Sequence, residues 1–396
     1  MSRSDLLFDV RPGTNPDRSR VRNRKAVLGL INSAGQMGRA AVARSLGLST
    51  QAVSNIIAEL EVEGLLIERG AQSAGRGLPA VQYGVNPEGG VALGVEIRPD
   101  VLLTSLVDLS GKPRATRRQV LDDLSPSRVT VAVLKLRDWM LKECGFTNER
   151  LLGAGIVMPG PFGTTGLSGQ ASDLPGWQTV DVAGLFSQEI GRPVIVSNDA
   201  NAAAMAERFS VAQGLTDYAF LYFGAGLGLG LVHRCQLVDG AFGNAGEIGH
   251  LPVMADAERK PLEQVVSRVS IQSALAANGP LDIEALDRLC KAKDPALMRW
   301  LETACDALGQ AVGVIENLFD PQTVILGGAM PASILDHLAN NTPLPELSVS
   351  NRPDAIHPRL QCGTSGRMTA TFGAAALILN RAFTPQSTAM WERPPA

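Results

Sequence analysis

The chain has 396 residues, 45% of them hydrophobic, and a formal net charge of -3. That length supports two or three domains with their own cores, and that composition excludes a largely disordered protein. Residues 1–85 hold 11 Lys and Arg against 7 Asp and Glu, and the remainder 25 against 32, so an anionic partner is expected for the N-terminal part alone.

Residues 1–19 contain Pro12, Gly13, Asn15 and Pro16 and read as a flexible basic arm. From Val21 to Ala34, Val27, Leu28, Leu30 and Ile31 recur at helical spacing. A short helix follows over Arg39–Leu46. Ser49 caps a third that runs to about Glu63 with Val53, Ile56, Ile57 and Leu60 inward. A strand (Leu65–Glu68), a glycine-rich turn (Gly70–Gly77) and a second strand (Ala80–Val85) complete a unit over residues 20–86. Asn86-Pro87-Glu88-Gly89-Gly90 is the best domain boundary. Beyond it, strands alternate with helices. Strands are expected at Val91–Ile97, Leu102–Asp108, Leu152–Met158, Val194–Ser197, Ala219–Phe223, Leu229–His233 and Thr323–Leu326. Helices are expected at Val129–Glu143, Ala200–Phe209 and Cys305–Phe319. The strand–turn–strand pattern of 91–108 recurs at 219–233, which predicts a two-lobed α/β body over residues 90–383 with a hinge near 198–217. Residues 384–396 carry three prolines and read as a flexible tail.

The five cysteines stand singly, without a CxxC pair, against a disulfide framework or a cysteine-rich zinc site. Met1 to Arg11 lacks an apolar signal core, and Tyr218–Val232 is too short and glycine-rich to span a membrane. The expected location is the cytoplasm.

Ala43 is small where two helices must cross, and Gly47, four residues on, suits a tight turn at positive φ. This is helix-turn-helix spacing. The face left outward carries Thr50, Gln51, Ser54 and Asn55, short polar side chains able to reach base edges or phosphates. Arg39 joins them as a candidate DNA contact. The hairpin that follows, with Arg69 and Arg76, has the length of a wing, and Arg76 is placed to reach a minor groove or phosphate. Arg18, Arg20, Arg22, Arg24 and Lys25 are read equally as phosphate contacts or as solvated charges. The alternative is a three-helix packing unit without DNA.

The most informative stretch is Tyr222–Leu251, whose glycines include the turn Gly224-Ala225-Gly226 and which ends in Glu247-x-Gly249-His250. Backbone N–H groups of such a turn can cradle an anion. Upstream, Asn198-Asp199-Ala200-Asn201 sits at a strand end opening a helix. There Asp199 can accept a sugar hydroxyl hydrogen, act as general base beside a phosphoryl donor, or cap the helix with Asn198.

These residues, with Gly75-Arg76-Gly77-Leu78-Pro79, Pro159-Gly160-Pro161, Glu207 and Gly327-Gly328, resemble the ROK family in order and spacing over almost the whole chain. That family groups bacterial sugar kinases with repressors, and the winged N-terminus resembles its repressor branch. The resemblance implies an N-terminal winged helix-turn-helix followed by a two-lobed actin/hexokinase-like (ribonuclease H-like) ROK domain with a sugar cleft between the lobes. By motif match the sugar contacts are Asn198, Asp199, Glu247, His250 and Glu263, with Asp173 where many relatives have a sugar-contacting asparagine.

The chain departs from the family pattern in three ways. Where family kinases have an Asp-x-Gly-Gly-Thr phosphate turn, it has Glu96, Arg98, Pro99 and Asp100. Proline offers no amide hydrogen and Asp100 repels phosphate. The second phosphate turn has Ala225 for the usual threonine. Between His250 and Glu263 there is no cysteine, so the family's structural zinc lacks its soft ligands. The expectation is therefore a sugar-responsive repressor, without ATP, metal or catalytic activity and with Asp199 a vestigial base. It is expected to bind double-stranded operator DNA as a homodimer or homotetramer and to control carbohydrate uptake or metabolism genes. The alternatives are an ATP-dependent, glucokinase-like sugar kinase with an added DNA-binding domain and a repressor controlled by a protein partner.

Overall fold

The computed structural model describes residues 15–72, 79–99, 101–162, 174, 176–276 and 281–385. Helix α1 (Asn15–Ala34) begins six residues before the expected Val21. Pro16 falls in its first turn, where a missing amide hydrogen costs nothing, and Asp17 suits the helix dipole there. Residues 15–19 are therefore helix rather than loose arm, and residues 1–14 lie outside the described residues. After β1 (Met37–Gly38), α2 (Arg39–Leu46) and α3 (Thr50–Val62) cross through Gly47, which takes φ 65° and donates to the carbonyls of Ala43 and Arg44. Ser49 Oγ caps α3, accepting the Ala52 N–H at 3.1 Å. Strands β2 (Leu66–Gln72) and β3 (Ala80–Val85) complete an antiparallel sheet in the order β1-β3-β2.

Val53, Ile56, Ile57 and Leu60 of α3 are buried, as their spacing predicts, against Val27, Leu28 and Ile31 of α1 and Tyr83 of β3. This core does not close on itself. It continues into Ala375, Ile378, Leu379, Ala382 and Phe383 near the end of the chain.

The body contains two five-stranded sheets of matching plan. The first has the order β6-β5-β4-β7-β8, from β4 (Val91–Ile97), β5 (Val101–Asp108), β6 (Pro113–Val120), β7 (Leu151–Val157) and β8 (Val194–Ser197). Helices α4 (Pro126–Glu143) and α5 (Val182–Ile190) belong to this lobe, and α6 (Asp199–Glu207) leaves it. The second sheet, β11-β10-β9-β14-β15, is built from β9 (Tyr218–Phe223), β10 (Leu227–His233), β11 (Gln236–Leu237), β14 (Val324–Gly328) and β15 (Leu360–Ser365). In each sheet the hairpin strands pair antiparallel and the later strands join in parallel. Between β11 and β14 come the hairpin β12 (Pro252–Ala255) and β13 (Glu258–Pro261), then α7 (Leu262–Val265), α8 (Arg268–Ala274), α9 (Ile283–Lys291) and α10 (Pro295–Phe319). Helix α11 (Ala332–Asn341) precedes β15, and α12 (Thr369–Phe383) closes the described chain.

Helix α12 joins the halves. Gly155 of β7 rests against the Ala374 carbonyl, Gly373 against that of Ala202 in α6, and Gly29 of α1 against that of Phe383. A side chain at any of the three would strike backbone, which cannot give way as a side-chain tip can. One helix thus touches the first sheet, α6 and the N-terminal unit.

Candidate functional site

On the N-terminal unit, Thr50, Gln51 and Asn55 are exposed on α3 and Ser54 is half-buried. Gln51 Nε2 donates to Asn55 Oδ1 at 3.0 Å, one helical turn apart on the outward face. Arg39 is exposed at the start of α2, with its guanidinium 4.9 Å over the Tyr83 ring. Arg69 donates to the Val85 carbonyl at 3.0 Å, while Arg76 and the wing tip lie outside the described residues. The basic residues of α1 divide. Arg20 pairs with Glu59, and buried Arg24 with both Glu59 and Glu63 of α3. Lys25 is buried, and its pKa is lowered to about 8 by burial and then by Arg381. Arg24 and Lys25 are therefore packed between helices while Arg20 stays exposed; the sequence could not separate these roles.

In the body, β8 ends at Ser197 and α6 begins at Asp199, so Asn198 and Asp199 stand on a strand-to-helix corner. Asn198 Oδ1 caps α6 by accepting the Asn201 N–H at 2.8 Å. The same side chain borders the Pro159-Gly160-Pro161 turn. A Cβ placed on Gly160 would lie 3.6 Å from Asn198 Cβ and 3.7 Å from Glu247 Oε1. Asp199 Oδ1 accepts the Ala200 N–H at 2.8 Å. Its Oδ2 lies 3.1 Å from where a Cβ on Gly224 would be. Burial, and next the Glu96 carboxylate, push its pKa up to about 6.

Glu263, near the start of α7, completes the group. Its Oε2 lies 2.7 Å from a Cβ built on Gly226 and 3.2 Å from one on Gly249. His250 Nδ1 is 3.8 Å from Glu263 Oε1. Burial raises the Glu247 pKa, while His250 pulls it down and Glu263 pushes it up. The five described residues expected from the motifs thus meet around a glycine-lined floor. Asp173 lies outside the described residues. Glu207, part of the same motif, stands apart, buried and accepting the Thr364 N–H at 2.7 Å. An amide, an imidazole and three carboxylates facing one floor supply the mixed donors and acceptors that adjacent hydroxyls require.

At the β4–β5 turn a cation is built in. Arg98 pairs with buried Glu96 and donates to the Arg367 carbonyl at 3.4 Å. The other Glu96 oxygen accepts from Thr371 Oγ1 of α12 at 2.6 Å. Burial works against the charged guanidinium, and the Glu96 and Asp199 carboxylates favour it. Pro99 follows without an N–H, and Asp100 lies outside the described residues. Thr371 is a partner that sequence reasoning missed.

Between His250 and Glu263 the chain forms the short hairpin β12–β13, turned by Asp256 and Ala257 at φ 51° and 62°. Among the described residues no three His, Cys, Asp or Glu are grouped to hold a metal. Among the described residues no thiolate stands with His250 and its carboxylate neighbours Glu247 and Glu263, so the soft ligands of a structural zinc are missing there. No described helix is long and apolar enough to cross a membrane.

Residues 93–381 match the sequence profile of the ROK family. The chain is 25% identical over 333 residues to a xylose repressor from Caldicellulosiruptor bescii, covering 77% of this chain and 82% of that one. It is 25% identical over 338 residues to the DNA-binding transcriptional dual regulator NagC of Escherichia coli, covering 79% and 82%. Among solved structures, a ROK family transcriptional regulator described as a homolog of the E. coli MLC protein aligns with a TM-score of 0.67 at 22% identity. That alignment covers 92% of this chain and 98% of the other, and supports the fold.

Proposed function

Because the chain belongs to the ROK family, we propose that it is a transcriptional repressor of carbohydrate uptake or metabolism genes whose operator affinity is set by a sugar bound in the cleft. The observation that carries this reading is the convergence of Asn198, Asp199, Glu247, His250 and Glu263 on one glycine-lined floor. The same chain presents Thr50, Gln51 and Asn55 on an exposed helix of helix-turn-helix geometry. Relatives named for xylose and N-acetylglucosamine repression support it.

In this reading Asn198 fixes the helix corner with its oxygen and turns the rest of its amide toward the sugar. Asp199, Glu247 and Glu263 accept sugar hydroxyl hydrogens, and His250 is oriented by Glu263. The lobes close about a hinge near 198–217. Movement of α6 reaches α12 through the Gly373–Ala202 contact, and α12 reaches the DNA-binding unit through Phe383 and Gly29. A sugar shifts the operator equilibrium only by its unequal affinity for the two closures. The operator is double-stranded and palindromic, read by a homodimer or homotetramer in the cytoplasm.

Phosphoryl transfer has no place in this account. The Arg98 guanidinium already has Glu96 as its counter-ion, and Pro99 donates no N–H. In this reading neither zinc nor ATP serves as a cofactor. The test is thermal melting of the protein with a panel of neutral and phosphorylated sugars, without nucleotide. A sugar that raises the midpoint for the native chain but not for Glu247→Gln supports the reading. A panel with no effect refutes it. Sugar-dependent ADP formation abolished by Asp199→Asn would favour a kinase instead.

A further inference from the structure

A second cavity lies where the DNA-binding unit meets the body. It has a volume of about 370 Å³ and is walled by α1 and α2 on one side and by the α6–β9 connection, the β10–β11 turn and the end of α12 on the other. That volume falls in the range of small-molecule sites. One side is apolar: Leu30, Leu46, and the ring pair Phe209 and Phe383 with centroids 6.2 Å apart. The other carries Arg208 and Arg234. Among the described residues no aspartate or glutamate lines the cavity, and neither guanidinium forms an ion pair. Arg208 Nη1 is buried without a hydrogen-bond partner there. Two guanidiniums without a carboxylate counter-ion leave this wall positively charged, and an anion is the group that would balance it.

We propose that this interdomain cavity binds a small organic anion, a carboxylate or phosphate monoester on an apolar or aromatic body, with Arg208 and Arg234 holding the charge and the Phe209–Phe383 face holding the ring. The site is separate from the sugar cleft and does not depend on the sugar reading. Its occupant would touch both the DNA-binding unit and the body, so it is a second input to the same interface.

Cys235 lines the cavity, half-buried and free, and reports on it directly. The experiment alkylates the full-length protein with iodoacetamide and follows each cysteine by mass spectrometry, with phenyl phosphate, benzoate, inorganic phosphate or benzyl alcohol present. Phenyl phosphate or benzoate is expected to slow Cys235 alkylation by about fivefold or more near saturation, leaving Cys144 and Cys290 unchanged. Arg208→Gln and Arg234→Gln should each remove the protection; Arg234 is exposed in a turn, so its variant keeps the fold. Equal protection by benzyl alcohol, or by inorganic phosphate alone, overturns the proposal, as does no protection by any probe. Protection that appears only after residues 386–396 are deleted also overturns it, because the tail would then be the occupant.

Discussion

Gly29 of α1 lies directly against the carbonyl oxygen of Phe383, the last residue of α12, so that even a single Cβ at position 29 would collide with backbone. Two residues 354 positions apart in sequence are thereby held in backbone contact. Gly29→Val must push the helices apart, at about 1–3 kcal/mol. Urea unfolding should show that loss. The variant should also show weakened transmission of sugar binding to DNA, measured as the ratio of operator affinities with and without sugar. A variant as stable as the native chain would show that the contact yields easily.

Asp199 titrates at about 6, raised first by burial and then by Glu96. The ionised carboxylate is the stronger acceptor of sugar hydroxyl hydrogens, so sugar affinity should fall as pH drops through about 6. Calorimetric titration between pH 5 and pH 8, taken as rough bounds around that midpoint, checks this. Asp199→Asn should bind more weakly at neutral pH and lose this step. The stability sign is opposite. Because the folded pKa is raised above 3.8, the folded state takes up the proton first, and this group's contribution to stability falls as pH rises from about 4 to about 6.

Lys25 is the mirror case, with a folded pKa lowered from 10.5 to about 8. Its unfolded form binds the proton more tightly, so stability from this group rises with pH between about 8 and 10.5. Lys25→Met removes the charge from the α1–α12 contact. It should stabilise the chain by about 2–3 kcal/mol at neutral pH and flatten the alkaline slope of the melting temperature. A lower melting temperature would place an unrecognised acceptor beside Lys25.

Arg98→Ala leaves Glu96 buried without its cation while Thr371 still donates to it. The expected cost is about 3 kcal/mol in denaturant unfolding. Restoring glycine turns there should not by itself create sugar-dependent ATP hydrolysis, read in a coupled ADP assay.

The helix-turn-helix was legible because its signals are local: the Ser49 cap, the positive-φ Gly47 and the one-sided stripe Val53, Ile56, Ile57 and Leu60. The strands of the duplicated hairpins were legible as apolar runs. Helix α12 was not, since Thr369–Phe383 is buried on nearly all sides and offers no polar face from which a period can be read. Helix α10 starts ten residues before the expected Cys305, although Asp294 and Pro295 were there to mark it. In the cleft, the motifs named Asn198, Asp199, Glu247, His250 and Glu263, but not Thr371, whose contact with Glu96 exists only after folding. Nor did they show that Gly155, Gly29 and Gly373 lie against carbonyls of the α12–α6 assembly.

In the proposed function, sugar in the cleft acts on DNA binding without nucleotide. Fluorescence anisotropy of a duplex selected from random sequence by this protein tests it most directly, titrated with and without each sugar and with ATP absent. At least one sugar should shift the midpoint about tenfold, a coupling of about 1.4 kcal/mol, for the native chain and not for Glu247→Gln. If no sugar moves the midpoint, or if the shift appears only with ATP and survives in Glu247→Gln, the account is wrong.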